Sequence, residues 1–157
     1  MDAPVKRGVS FGLTSSILTV LGLLVGLEAG LGSRSVVIGG ILVIVVADAL
    51  ADALAMHLSE ESANRKHREV WKATFTTFGA KLFFALTFIV PVLAFSTSVA
   101  TWFSVGWGAF LLALLSWWIA VQRDERPGGI IAQHLVIMFL VVLVSYTIGS
   151  WVGYAFS

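Results

Sequence analysis

The stretch Val36–Ser62, VVIGGILVIVVADALADALAMHLSEES, decides how the rest of the chain is read. Up to Val46 it is uninterrupted apolar sequence; then Asp48 and Asp52 enter, with Met56 and Glu60 continuing the same four-residue step. A helix needs about 20 apolar residues to cross the hydrocarbon core of a bilayer, and the segment from about Ser35 to Leu58 is long enough. Helix positions four apart drift by only about 40°, so Asp48, Asp52 and Met56 fall on one stripe, which Glu60 extends with further drift. An aspartate near the bilayer centre costs about 2.5–3.5 kcal/mol on insertion scales. Two of them are kept only where they face protein, water or an ion.

The surrounding sequence says the same. Four more stretches are long and apolar enough to span, at about Val9–Gly30, Val70–Phe95, Val99–Val121 and Ile130–Phe156. Hydrophobic residues make up 58% of the 157-residue chain, charged residues 12%, and the mean hydropathy is +0.94. A soluble globular protein carries roughly 25% charged residues. The 10 basic and 9 acidic side chains cannot cover a soluble surface, and a net charge of +1 provides no footprint for nucleic acid. Soluble enzymes, disordered chains and nucleic-acid binders are thereby excluded. Alternation at period two is absent, which argues against a β-barrel. The connections are short, so the expectation is a single all-α transmembrane domain over residues 1–157, a bundle of five helices. Lys6 and Arg7 before an apolar run resemble the start of a signal peptide, but Val9–Gly30 is longer than a usual signal core and is read as the first span.

Orientation follows from the basic residues in the connections. Lys6 and Arg7 precede span one, and Arg65, Lys66, Arg68 and Lys72 lie between spans two and three. Arg123 and Arg126 follow span four, whereas Arg34 stands alone after span one and Ser96–Ser98 carries no basic residue. The alternation predicts the N-terminus inside and the C-terminus outside. Trp71, Trp117 and Trp118 then fall near the inner interface, and Trp102 and Trp151 nearer the outer one, as in an aromatic belt. Small residues recur every four positions at Gly22, Gly26 and Gly30, at Ala47, Ala51 and Ala55, and at Ser145, Gly149 and Gly153. Such stripes let helices approach closely, within a subunit or between subunits.

Two carboxylates and a thioether suit a first-row divalent cation. Carboxylates favour hard ions such as Mn²⁺ and Mg²⁺, and sulfur adds affinity for softer ones, including Fe²⁺. The candidate metal ligands are Asp48, Asp52, Met56 and Glu60. The same acids can carry protons, because burial raises an aspartate pKa. Lys81 in span three lies about as deep as Asp48, some 16–18 Å from the inner interface at about 1.5 Å per residue. It either pairs with Asp48, a structural role that also competes with a bound cation, or snorkels. Glu28 near the outer end of span one is read as solvated or as a coupling group, and His134 as an interfacial residue. His57 points about 100° away from Met56 and is a weak ligand candidate. Zero cysteines exclude thiolate sites and disulfides, and no hydrolytic triad or nucleotide loop is recognisable, so no enzyme activity and no bound cofactor are expected.

These residues carry a resemblance to the vacuolar iron transporter family, exporters of iron and manganese. FGLTSSILTVLGLLVGL, Phe11–Leu27, resembles the family's first helix, F-G-L-x-D-G-x-x-T with a later glycine, through Phe11, Gly12, Leu13, Thr19 and Gly26. Asp48 and Met56 match the family's acid eight residues before a methionine, Pro91 resembles its G-x-x-I-P element, and SYTIGSWVG, Ser145–Gly153, its T-Y-x-I-G ending. The resemblance implies five spans with N-in and C-out, and a homodimer with helices one and two lining the ion path near the two-fold axis. It also implies export of divalent cations from the cytosol in exchange for protons, in a cell membrane or, in a eukaryote, a vacuolar one. Two departures stand out. The family's acid in the first helix falls on Ser15 and its glycine on Ser16, and a hydroxyl does not replace a carboxylate's charge. Either Asp52 compensates, or substrate or coupling has changed. Many members also carry a cytosolic metal-binding domain where this chain has only Ser59–Glu69. Glu61, His67 and Glu69, with Glu60, are a vestibule at the cytosolic mouth or simply a solvated charged turn. The competing readings are a non-transporting membrane scaffold or regulator, and a transporter of another small solute.

Overall fold

The computed structural model describes residues 2–31 and 33–156. The described chain is all-α: α1 (Ala3–Leu31), α2 (Arg34–Ser62), α3 (His67–Thr87), α4 (Ile89–Ala94), α5 (Thr97–Gln122) and α6 (Pro127–Phe156). Five spans are long and apolar enough to cross a membrane, the third being α3 and α4 together, and the chain is a multi-pass integral membrane protein. Each span begins before the apolar segment read from the sequence, and α1, α2 and α5 also end beyond it. A 29-residue helix such as α2 is about 43 Å long, enough to reach through the headgroup layers as well as the hydrocarbon.

The third span is broken where the sequence predicts one helix. Pro91 has no N–H to donate to the Thr87 carbonyl, and its ring crowds that same group. The chain answers by closing α3 with a tighter bond from the Phe88 amide to the Ala85 carbonyl, 3.2 Å, before α4 begins. Two other helix ends share one device. Asn64 and Asp124 adopt φ of 52° and 55°, the left-handed conformation these residues tolerate best after glycine. Arg65 N then bonds Glu60 O and Glu125 N bonds Ala120 O, ending α2 and α5 with the same six-residue closure. Both turns lie at the end of the bundle that holds the basic residues.

Helix α1 is the axis of the bundle, packing against α2, α3, α5 and α6. Its Ile17, Val20, Leu21 and Leu24 are fully buried and form the centre of the core with Ile41, Phe88, Leu112 and Met138. Close approach decides which helices touch it. A Cβ on Gly12 would lie 2.8 Å from Thr77 O, so α3 can sit against α1 at this level only because residue 12 has no side chain. A Cβ on Gly149 would lie 2.1 Å from Gly26 O, and the two glycine-rich stripes of α1 and α6 therefore close on each other within one chain. The α1 glycines thus make contact inside the subunit. The stripe Ala47, Ala51 and Ala55 on α2 faces outward.

Candidate functional site

The glycine contact at residue 12 places Lys81 beside Ser15, and α2 packs across both. Lys81 is 1% exposed. Its ammonium donates a hydrogen bond to Ser15 Oγ, 2.7 Å, and another to Asp52 Oδ2, and it lies in ion-pair contact with Asp48 Oδ2. Ser15 Oγ in turn donates to Asp52 Oδ2. The hydroxyl thus uses its proton on the acid and its lone pair on the lysine. Asp48 Oδ2 touches the ammonium without making a hydrogen bond of its own. Three elements meet here, α1 through Ser15, α2 through the two acids and α3 through Lys81, and the cluster carries two negative charges and one positive.

The cluster is not closed on every side. The side chains of Asp48 and Asp52 are 23% and 19% exposed, on the outward face of α2 that also carries Ala47, Ala51 and Ala55. Of the two open roles for Lys81, the structure places it in the ion pair, and with both aspartates. Ser15 adds no charge; it bridges Asp52 and Lys81.

The remaining candidates separate. Met56 lies one turn from Asp52, half-buried. Glu60 departs from the expected stripe: it is held by Arg7 in a bidentate pair, Nε to Oε1 at 2.7 Å and Nη2 to Oε2 at 2.5 Å, with its side chain 8% exposed. Arg7 holds both of its oxygens, so this carboxylate is not free beside the aspartates. Glu28 lies 13 residues beyond Ser15 on α1, about 20 Å along the axis, and is not part of the cluster. Glu61 and His67 line one polar cavity with Asn64 and Arg65, while Glu69 sits in the first turn of α3. His57 packs edge-on against Trp71. His57 Nδ1 is hydrogen-bonded to Thr74 Oγ1 at 3.0 Å, and Thr74 Oγ1 also lies within hydrogen-bond distance of Val70 O. His57 Nε2 faces Glu61 at 3.4 Å. In the same way His134 Nδ1 is hydrogen-bonded to Ser116 Oγ, which also lies within hydrogen-bond distance of Leu112 O. Among the described residues, no three His, Cys, Asp or Glu side chains are grouped to hold a metal ion.

The Arg7–Glu60 pair escaped the sequence reading, although a signal existed. α1 and α2 are antiparallel neighbours joined by a very short turn. Arg7 lies eight residues before Ser15, and Glu60 eight residues after Asp52, so once Ser15 faces Asp52 the register brings Arg7 to Glu60, about 12 Å closer to the basic end. Phe11 and Met56 share the rung between. No protein family, no curated protein and no solved structure matches this chain.

Proposed function

We propose that the chain is a transporter of divalent metal cations, Fe²⁺ or Mn²⁺, moving them out of the cytosol in exchange for protons. The observation that supports this reading is the meeting of Asp48, Asp52 and Ser15 oxygens around a buried cation, the Lys81 ammonium, in mid-span. Oxygen donors that solvate an ammonium in lipid can also solvate a metal ion. A divalent cation entering between the acids would compete with the Lys81 ammonium for the same oxygens. Met56 offers a thioether one turn away, which biases the path toward softer ions. The likeness of spans one, two and five to vacuolar iron transporters points the same way. We further propose the N-in, C-out orientation, from the alternation of basic loops. A two-fold homodimer joined along the outward α2 face would cover the part-exposed acids from lipid.

A second reading has its own observation. Lys81 already neutralises one acid and contacts both, and no grouping of three metal-binding side chains is present among the described residues. A non-transporting scaffold stabilised by this ion cluster fits that. Reconstituted proteoliposomes separate the two. The transporter reading expects saturable Fe²⁺ or Mn²⁺ flux that responds to a pH gradient and is lost in a folded Asp48→Asn variant. Absence of flux for Fe²⁺, Mn²⁺, Co²⁺ and Zn²⁺ alike would sink it in favour of the scaffold.

A further inference from the structure

Away from the acid–lysine cluster, α1 and α5 leave a cleft at the basic end of the bundle. Its head is lined by Lys6, Arg7 and Ser10 from α1 and by Trp118, Gln122 and Arg123 from the end of α5. Lys6 Nζ is hydrogen-bonded to the neutral Gln122 amide and lies 5.8 Å from the centre of the Trp118 ring, so its charge is undiminished. Arg7 commits Nε and Nη2 to Glu60 and leaves Nη1 outside that pair. Arg123 pairs with Glu125 at 2.8 Å, but both side chains are exposed, and such pairs exchange readily for a better anion.

Trp118 also lines a second, neighbouring hollow. This one is apolar, lined by Val9, Leu13, Phe84, Leu111, Leu115 and Trp117. From Arg123 to Leu111 along α5 is about 18 Å, close to one leaflet of a hydrocarbon core about 30 Å thick. A basic head site at the interface thus lies next to an apolar hollow, with Trp118 between them, and the two together extend over about one leaflet of α5.

We infer that the α1–α5 cleft binds an anionic phospholipid, its phosphate on Lys6, Arg7 and Arg123 and an acyl chain along the groove below Trp118. Basic pockets between transmembrane helices are built for such headgroups. The apolar hollow beside the head site favours lipid over free phosphate, and Lys6, which has no acidic partner, together with the exchangeable Arg123 favours an acidic headgroup over a zwitterionic one.

The test uses the full chain purified in neutral detergent and titrated with phosphatidylglycerol or phosphatidylcholine of identical acyl chains. Native mass spectrometry and melting temperature are the readouts. Phosphatidylglycerol should be retained in preference and raise Tm above the phosphatidylcholine value. Each basic residue contributes about five-fold to anionic-lipid affinity, so Lys6→Gln with Arg123→Gln should weaken phosphatidylglycerol binding about 30-fold. Phosphatidylcholine binding should not change. The charge-keeping pair Lys6→Arg with Arg123→Lys should retain the preference, which separates loss of charge from loss of fold. Leu114→Trp fills the groove beside Leu115 and should lower retention of both lipids. Equal retention of the two lipids, unchanged affinity in the glutamine pair, or lost preference in the charge-keeping pair each overturns the assignment. So does an equal Tm shift from inorganic phosphate, which would leave the groove without a role.

Discussion

Two aspartates on one lysine make a specific prediction about stability. Were Lys81 paired with Asp48 alone, Asp48→Asn would strand a buried ammonium. Here Asp52 contacts the same nitrogen, so each single change leaves one acid and one base, a neutral pair. Asp48→Asn removes an ion contact that makes no hydrogen bond and also lowers the insertion cost; the net change should stay within about 1 kcal/mol. Asp52→Asn keeps an amide oxygen as acceptor but takes the charge out of the hydrogen bonds from Lys81 and Ser15, and should cost about 1–2 kcal/mol, the difference between charged and neutral hydrogen bonds. The double variant leaves the Lys81 ammonium in mid-span among neutral oxygens with no counter-charge, and breaking a buried pair costs about 3–5 kcal/mol.

The cycle should therefore be non-additive, with the double change exceeding the sum of the singles by about 1–3 kcal/mol. On the scale of about 2–4 °C per kcal/mol for a chain of this size, the double variant loses roughly 10 °C in Tm while Asp48→Asn moves little. Thermal melts of the four proteins in one detergent measure it. Adding Lys81→Met to the double variant should recover most of the loss, because the stranded charge is then gone. Strict additivity, or an Asp48→Asn loss as large as the double, would refute the shared-lysine account.

Other consequences are direct. Met56→Ala should shift flux preference from Fe²⁺ toward Mn²⁺, read in the same vesicles with competing ions, because only a thioether is lost. Arg7→Ala leaves Glu60 buried without its partner and should cost about 3–5 kcal/mol, while Arg7→Ala with Glu60→Gln recovers much of it. A cysteine at the outward-facing Ala51 should cross-link to its counterpart in a second copy; the chain has no native cysteine to confuse the result. Cysteines at Ala63 and Ser157 should label from opposite sides of the membrane; Ser157 lies outside the described residues. Lys72 Nζ donates a hydrogen bond to Asp2 Oδ2 at 2.7 Å and holds its carboxyl below the ordinary aspartate range. A lowered folded pKa means that this contribution is full above the unfolded value and is lost as pH falls through the folded one. Hydrogen exchange in the first turn of α1 should thus rise only in acid, and Asp2→Asn should raise it at neutral pH.

The apolar runs made the five spans and their order legible, because length and hydropathy are local properties of sequence. The α2 stripe was legible too, since helical spacing alone puts Asp48, Asp52 and Met56 together. What spacing cannot supply is the partner across the bundle. Lys81 was matched to Asp48 by depth, a coordinate shared by every residue on the same level; its second contact, with Asp52, needed the rotation of α3 about α1. Gly12 fixes that rotation. With any side chain at residue 12, Thr77 and Lys81 are pushed off α1, and the lysine loses Ser15. The pairing of Glu60 with Arg7 was hidden for a related reason. A stripe read along one helix assigns all its members to one site, but an antiparallel neighbour divides the stripe into rungs, and Arg7 claims the last of them. The glycine pattern of α1 was visible as a pattern, yet its use inside the subunit followed only from the matching stripe on α6. Gly149→Ala carries this into measurement. A Cβ placed 2.1 Å from Gly26 O must drive α6 from α1, where the facing atom is backbone and cannot turn aside. Overpacking of this kind costs about 1–3 kcal/mol. If the α1–α6 contact is internal to each chain, Gly149→Ala lowers Tm and leaves the Ala51 cross-link between copies intact. Loss of the cross-link at unchanged Tm would mean that the glycines join subunits instead, and that α2 is not the face where two copies meet.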